Sequence, residues 1–204
     1  VCNMSKEFYY TIAKPFRAEQ KIKGSKFIAS VASVSSRDEA LLFLEQIRSE
    51  YFDATHNCFA YRLGAEGLDV RFGDDGEPNG SAGKPILFSI KKFDFSDIIV
   101  VVTRYFGGTK LGIGGLSRAY SSTTELALSQ CEKKIVHITT AIRVLCSYED
   151  VSTIKKLINE FAVSATEDYK DSVEFIVHIH QSKIDEFERK VISSTNGRSG
   201  VFPV

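Results

Sequence analysis

The stretch Asp97–Tyr120, DIIVVVTRYFGGTKLGIGGLSRAY, passes from a nearly continuous aliphatic segment through five glycines into a helical pattern. Asp97 to Tyr105 is β-branched and apolar without alternation, as expected of a central strand buried on both faces. It breaks at Gly107-Gly108. After the second glycine cluster, Leu116, Ala119, Tyr120, Thr123 and Ala127 recur at helical spacing and mark a helix from about Gly115 to Gln130. The expected order is strand, glycine loop, helix.

Upstream, Ser36-Arg37-Asp38-Glu39 reads as a capping box, followed by Ala40, Leu44, Ile47 and Tyr51 on one helical face. Lys26 to Val34 reads as a strand before it. His56 to Leu63 and Leu68 to Phe72 read as two more after it, joined by the turn Gly64-Ala65-Glu66-Gly67. From Gly73 to Pro85, GDDGEPNGSAGKP is too rich in glycine, proline and acid for regular structure and is expected to be a loop, with helical spacing resuming near Ala82.

From about His137 the pattern changes. Thr139 to Cys146 reads as a strand, and Ser147-x-x-Asp150 as a helix start followed by Val151, Ile154, Leu157, Ile158 and Phe161. Val163 to Tyr169 and Ser172 to His180 read as a hairpin around Lys170-Asp171, with alternation at Val173, Phe175, Val177 and Ile179. Ser182-x-x-Asp185 opens another helix, and Val201 to Val204 reads as an edge strand. This βαββαβ order is the ferredoxin-like pattern. Two α+β domains are therefore expected, residues 1–137 and 138–204.

The 204 residues include 26 basic and 26 acidic side chains, so bulk electrostatics cannot coat a polyanion, and any anion site must be local. The second domain has 8 basic and 10 acidic residues, which assigns polyanion binding, if there is any, to the first. No apolar run approaches the roughly 20 residues of a membrane helix, and VCNMSKEFYYT has no secretory pattern. Cys2, Cys58, Cys131 and Cys146 are widely spaced without a C-x-x-C pair, fitting reduced thiols in a cytoplasm.

In RYFGGTKLGIGGLSRAY the glycines allow close backbone approach, and free N–H groups at the following helix favour an anion. Arg104, Lys110 and Arg118 surround Gly112, Gly114 and Gly115, so a phosphate or carboxylate is the natural guest. The loop matches neither G-K-[ST] nor G-x-G-x-x-G. The plainer reading is tight strand-to-helix packing. If Gly114 or Gly115 has positive φ or a close neighbour, valine there should damage the loop.

Asp74, Asp75 and Glu77 bring three carboxylates together, fit for a divalent ion, a general base, or salt bridges that order the loop. His56 and Cys58 share a strand face, read here as a hydrogen-bonded histidine and a core thiol. His178 and His180 are expected as exposed sheet residues rather than metal ligands. The sheet aromatics of an RNA-recognition motif are missing.

HNCFAYRLG (56–64), RFGDDGEPNGSAGKPIL (71–87) and VVVTRYFGGTKLGIGGLSRAYSSTTELAL (100–128) resemble, in order and spacing, the signature of the IMPACT/YigZ family, in its bacterial two-domain YigZ branch. The resemblance spans about Lys21 to Gln130, and the βαββαβ tail is similar to that branch's C-terminal domain. It implies a first domain like ribosomal small-subunit proteins and elongation factor G domain IV, and a second like domain V of that factor. It also implies a functional surface at His56, Arg62, Asp74, Asp75, Glu77, Ser81, Lys84, Arg104, Lys110 and Arg118. One departure is Asn79-Gly80-Ser81 where many relatives read Ser-Gly-Thr, with a hydroxyl kept at the third position.

The first functional reading is a cytoplasmic, non-catalytic binding or regulatory protein linked to translation. It would engage RNA, the ribosome, a translation-associated protein or another phosphate-bearing partner through the Arg104–Arg118 loop, with no cofactor. The alternatives are a magnesium-dependent nucleotide- or phosphate-binding enzyme using Asp74, Asp75 and Glu77, by fold-level analogy, and a protein-interaction module.

Overall fold

The computed structural model describes residues 6–204 and divides into two units: Tyr9–Val136, and His137–Val204 together with residues 6–8. Cys2 and the rest of residues 1–5 lie outside the described residues. Among those described, no helix is long and apolar enough to cross a membrane.

In the larger unit, β1 (Phe8–Ile12, entering the unit at Tyr9) precedes β2 (Phe16–Ile22), β3 (Ser25–Ser33), α1 (Arg37–Glu50), β4 (His56–Leu63) and β5 (Asp69–Gly73). Then come α2 (Gly83–Lys92), β6 (Ile98–Tyr105), α3 (Ile113–Gln130) and β7 (Lys133–His137), which pairs with β1 in a two-stranded ribbon. The main sheet has the order β2-β3-β6-β4-β5, each neighbouring pair antiparallel. The central place of β6 explains its unbroken apolar run. Ile98, Val100 and Val102 pack with α2 and α3 on one face, while Ile99 and Val101 pack with α1 on the other. α1 is capped as its sequence predicts, the Ser36 hydroxyl accepting from the Glu39 amide and the Glu39 carboxylate accepting from the Ser35 amide.

Three strands were not legible in the pattern: β1, β2 and β7. In β2, FRAEQKI alternates, but Ala18 and Gln20 occupy inward positions that a buried strand usually gives to large apolar residues. Its hairpin with β3 turns on Lys23-Gly24, both at positive φ (46° and 83°), the signature of a two-residue turn matched to strand twist. The boundaries of the glycine-rich elements also differ from expectation. The loop after β5 ends at Ala82, with Pro85 in the first turn of α2, where its missing N–H costs no helical bond. α3 starts at Ile113, so Gly114 and Gly115 are helical.

The smaller unit contains β8 (Thr140–Cys146), α4 (Val151–Phe161), β9 (Ala162–Tyr169), β10 (Val173–Ile179), α5 (Ile184–Ser194) and β11 (Gly200–Pro203). Its sheet order is β11-β8-β10-β9, all pairs antiparallel, with Val144, Phe175, Val177, Ile154 and Phe187 in the core. Two local expectations change. The Ser182 hydroxyl donates to Glu7 rather than capping α5. His180 is buried rather than exposed, its Nδ1 3.0 Å from the Ile138 carbonyl and its ring 5.2 Å from that of His137.

Candidate functional site

One end of the main sheet gathers most of the expected residues. The register pairs His56 at the start of β4 with Arg104 near the end of β6. The loops after β5 and β6 and the start of α3 come to the same end. They enclose a cavity of about 260 Å³ lined by Glu77, Pro78, Arg104, Phe106, Lys110, Leu111, Gly112, Ile113 and Leu116.

Arg104 is not a free surface cation. Its side chain is 6% exposed and that of Glu77 3%, and Arg104 Nη1 donates to Glu77 Oε1 at 2.7 Å. The same oxygen accepts from the Tyr120 hydroxyl at 2.8 Å, and His56 Nε2 stands 4.0 Å away. Arg104 Nη2 donates to Ser25 Oγ at 3.3 Å, which also accepts from the Gly107 amide at 3.1 Å. The guanidinium lies over the rings of Phe27 and Phe106 at 5.4 and 5.5 Å. Its Nε is a buried donor with no partner among the described residues. The buried charge is thus balanced by one carboxylate and screened by two rings, as desolvation requires.

The acidic loop is ordered by separate partners for each carboxylate. Asp74 accepts from the amides of Gly80, Ala82 and Gly83 at 2.8, 3.0 and 2.8 Å, capping α2 from eight positions before its Ala82 cap. Burial by itself would raise the Asp74 pKa. The amides of Gly80, Gly83 and Ala82, with Lys84 adding its charge, outweigh burial and hold it below the ordinary value. Asp75, at positive φ, accepts from Arg48 at 3.0 Å and from the Asn57 amide at 2.7 Å. Glu77 serves Arg104 and Tyr120. Among the described residues no group of three or more His, Cys, Asp or Glu is arranged to hold a metal ion.

His56 Nδ1 bonds the Asp75 carbonyl at 2.7 Å, which requires the proton on that nitrogen. Cys58 is a core thiol, donating to the Asp74 carbonyl at 3.0 Å. Burial pushes its pKa far up, so it is no thiolate nucleophile. Burial, with Cys58 and Glu77 nearby, likewise raises Tyr120. Ser81 is fully buried and its hydroxyl has no partner among the described residues, while Lys84 is exposed on the first turn of α2. Arg62 stands apart. It sits six residues along β4 from His56, roughly 20 Å at strand rise, and its guanidinium donates to the carbonyls of Gly67 and Phe95.

Lys110 and Arg118 are exposed and have no ion pair among the described residues. Lys110 borders the cavity. Arg118 lines a neighbouring hollow with Lys23 and Gly115, so the expected trio of cations resolves into one buried strut and two surface charges. Sequence reasoning missed Lys23, Ser25, Phe106 and Tyr120. The Lys23-Gly24 turn and the aromatic residue immediately before Gly107 were the available signals.

α3 begins without a side-chain cap at Gly112 (φ 71°), and its first helical bond runs from the Leu116 amide to the Gly112 carbonyl. The N–H groups of Ile113, Gly114 and Gly115 therefore precede the helical ladder, with Gly112 and Ile113 lining the cavity and Gly115 the neighbouring hollow. Neither Gly114 nor Gly115 has positive φ. A Cβ on Gly114 would meet only Arg118 Nη1 at 3.8 Å, which withdraws the expectation for valine there; one on Gly115 would meet Leu111 Cβ at 3.1 Å. The tight approach lies instead at Gly107, where a Cβ would stand 2.0 Å from the Gly24 backbone.

The family model described as the Impact N-terminal domain matches residues 23–128, which contain this whole site. The chain belongs to the IMPACT family. A model described as a domain of unknown function (DUF1949) matches residues 144–198, giving the two-domain arrangement of YigZ-like bacterial members. IMPACT family member YvyE of Bacillus subtilis (strain 168) is 34% identical over 200 residues, 95% of this chain and 89% of that one. IMPACT family member YigZ of Escherichia coli (strain K12) is 34% identical over 188 residues, 91% and 92% of the two chains. The crystal structure of a hypothetical protein, 31% identical, superposes with a TM-score of 0.70 over 98% of both chains. This IMPACT-family member thus shares its whole two-unit α+β architecture with a solved relative.

Proposed function

We propose that this protein is a non-catalytic cytoplasmic binding protein linked to translation, and that its larger unit recognises RNA, alone or in the ribosome, through the cavity at the start of α3. The observation that carries this reading is the uncapped first turn of α3 facing a cavity whose only unpaired bordering cation, among the described residues, is Lys110. Backbone donors, the positive end of the helix and an exposed ammonium are suited to a phosphate. Arg118 and Lys23 add charge next door along the path of a polyanion.

His56, Asp74, Asp75, Glu77, Ser81 and Lys84 belong to this reading as the frame that orders the cavity wall, and Arg104 as its strut. Arg62 anchors the far end of the sheet. The dispersal of Asp74, Asp75 and Glu77 among separate partners weighs against a magnesium-dependent phosphoryl enzyme. The strand order of the smaller unit supports a ferredoxin-like fold, and the helices on both faces of the larger sheet are compatible with the ribosomal-protein-like fold that the family resemblance implies. A division near residues 137/138 goes with this proposal.

The test is fluorescence anisotropy with labelled RNA between about 50 and 200 mM salt. Lys110→Ala and Arg118→Ala should each weaken binding and flatten the dependence of log K on log salt by about 0.7 per lost phosphate contact on a single strand. Unchanged affinity and slope in both variants would overturn the assignment.

A further inference from the structure

We infer that the cavity takes single-stranded RNA one base at a time, the base lying on the open side of the Phe106 ring while its phosphate meets the first-turn amides of α3 beside Lys110. This rests on the function proposed above and specifies the form of the ligand.

Phe106 is 48% exposed, yet it is held in place. Its amide donates to Thr55 Oγ1 at 3.0 Å, and its ring covers the Arg104 guanidinium, which also lies over the fully buried Phe27. Phe27 in turn meets Tyr120 edge-on at 5.3 Å, and Tyr120 holds the carboxylate that neutralises Arg104. The exposed ring is therefore the outermost member of a series anchored in the core, so a flat ligand finds a surface already fixed, with little ordering cost.

The rest of the cavity sorts the ligand by shape and charge. Pro78, Leu111, Ile113 and Leu116 give it apolar walls, Ile113 being 65% exposed at the rim. At about 260 Å³ it is smaller than the roughly 300–1,000 Å³ of drug-sized ligand sites, which suits one planar ring rather than a bulky molecule. Arg104 lines it with a side chain more than nine-tenths buried and an Nε that lacks an acceptor among the described residues. The polar elements at the opening, Lys110 and the amides of α3, all favour negative charge. A base and its phosphate have this combination of flat apolar surface and anion. In a duplex the base is sealed inside the stack and cannot reach Phe106, whereas a single strand can turn it outward.

The experiment uses the full chain and two probes, a labelled oligo(A) RNA of about 12 nucleotides and a blunt RNA duplex of similar length. Phe106→Ala and Phe106→Leu are compared with Lys110→Ala. Both Phe106 variants should bind the single strand about 5- to 150-fold more weakly, the range for losing one base–aromatic stack, and bind the duplex like the parent. Leucine preserves an apolar cover over Arg104, so weakening in that variant at unchanged melting temperature separates stacking from mere shielding of the buried pair. If Lys110→Ala weakens single-strand binding while both Phe106 variants bind like the parent, the stacking inference fails and the broader RNA assignment stands. Preference of the parent for the duplex would also overturn it. No binding of the parent to either probe would overturn both.

Discussion

Replacing Glu77 with alanine removes the only carboxylate partner of Arg104 among the described residues and the acceptor of the Tyr120 hydroxyl. The pair is 2.7 Å apart, with side chains 6% and 3% exposed, so the abandoned guanidinium cannot rehydrate without rearrangement. Breaking a buried pair from one side costs about 3–5 kcal/mol. Because both residues border the cavity, water can enter, and the lower end, about 3 kcal/mol, is the expected value. At about 2–4 °C per kcal/mol for a chain of this size, that is a melting-temperature drop of about 6–12 °C. The double variant Glu77→Leu/Arg104→Met removes both charges and should lose less than the sum of its single variants, with a coupling of about 2 kcal/mol or more. Urea titrations of the parent, Glu77→Leu, Arg104→Met and the double variant measure the cycle, with Glu77→Ala titrated alongside. A loss below about 1 kcal/mol for Glu77→Ala, or additivity within about 0.5 kcal/mol, would show that the pair is not the buried strut described above.

Gly107→Ala should destabilise the larger unit by about 1–3 kcal/mol, since its Cβ would stand 2.0 Å from the Gly24 backbone, whereas Gly114→Ala should be neutral or stabilising by up to about 1 kcal/mol in the absence of RNA. Thermal melts of the two variants check the contrast, and equal losses would count against it. Asp74 has a folded pKa below its unfolded value, so its ionised form stabilises the fold above about pH 4, and that contribution disappears as pH falls through the lower folded pKa. Asp74→Asn should therefore be less stable than the parent at neutral pH, with the gap narrowing as pH falls below about 4, as followed by denaturant titration. A gap independent of pH would refute the carboxylate's role.

The order of elements from β3 through α3 was legible because burial on two faces leaves an unbroken run in β6, while burial on one side leaves helical periodicity in α1 and α3. The smaller unit was equally legible through the alternation of Val173, Phe175, Val177 and Ile179. β2 escaped because its inward positions are only half-buried and need no large apolar residue, and β1 and β7 because a two-stranded ribbon imposes little pattern. At the site, the sequence brought the right residue types together but not their states. Arg104 and Lys110 read alike as cations near a glycine loop. Only the register of His56 with Arg104 and the return of Glu77 beneath them reveal one as internally neutralised and the other as available. The acidic triplet read as a cluster, whereas backbone direction sends each carboxylate to a different partner.

The cap that Asp74 places on α2 has a thermodynamic consequence for whatever occupies the cavity. Its bonds to Gly80, Ala82 and Gly83, together with the hold of Arg104 on Glu77, fasten the acidic loop at both ends and in the middle. The configurational entropy of that wall is surrendered when the chain folds, not when a ligand arrives. Calorimetry of binding should accordingly show a heat-capacity change set by the surface covered at the contact, without the larger negative value that accompanies a loop folding around its guest.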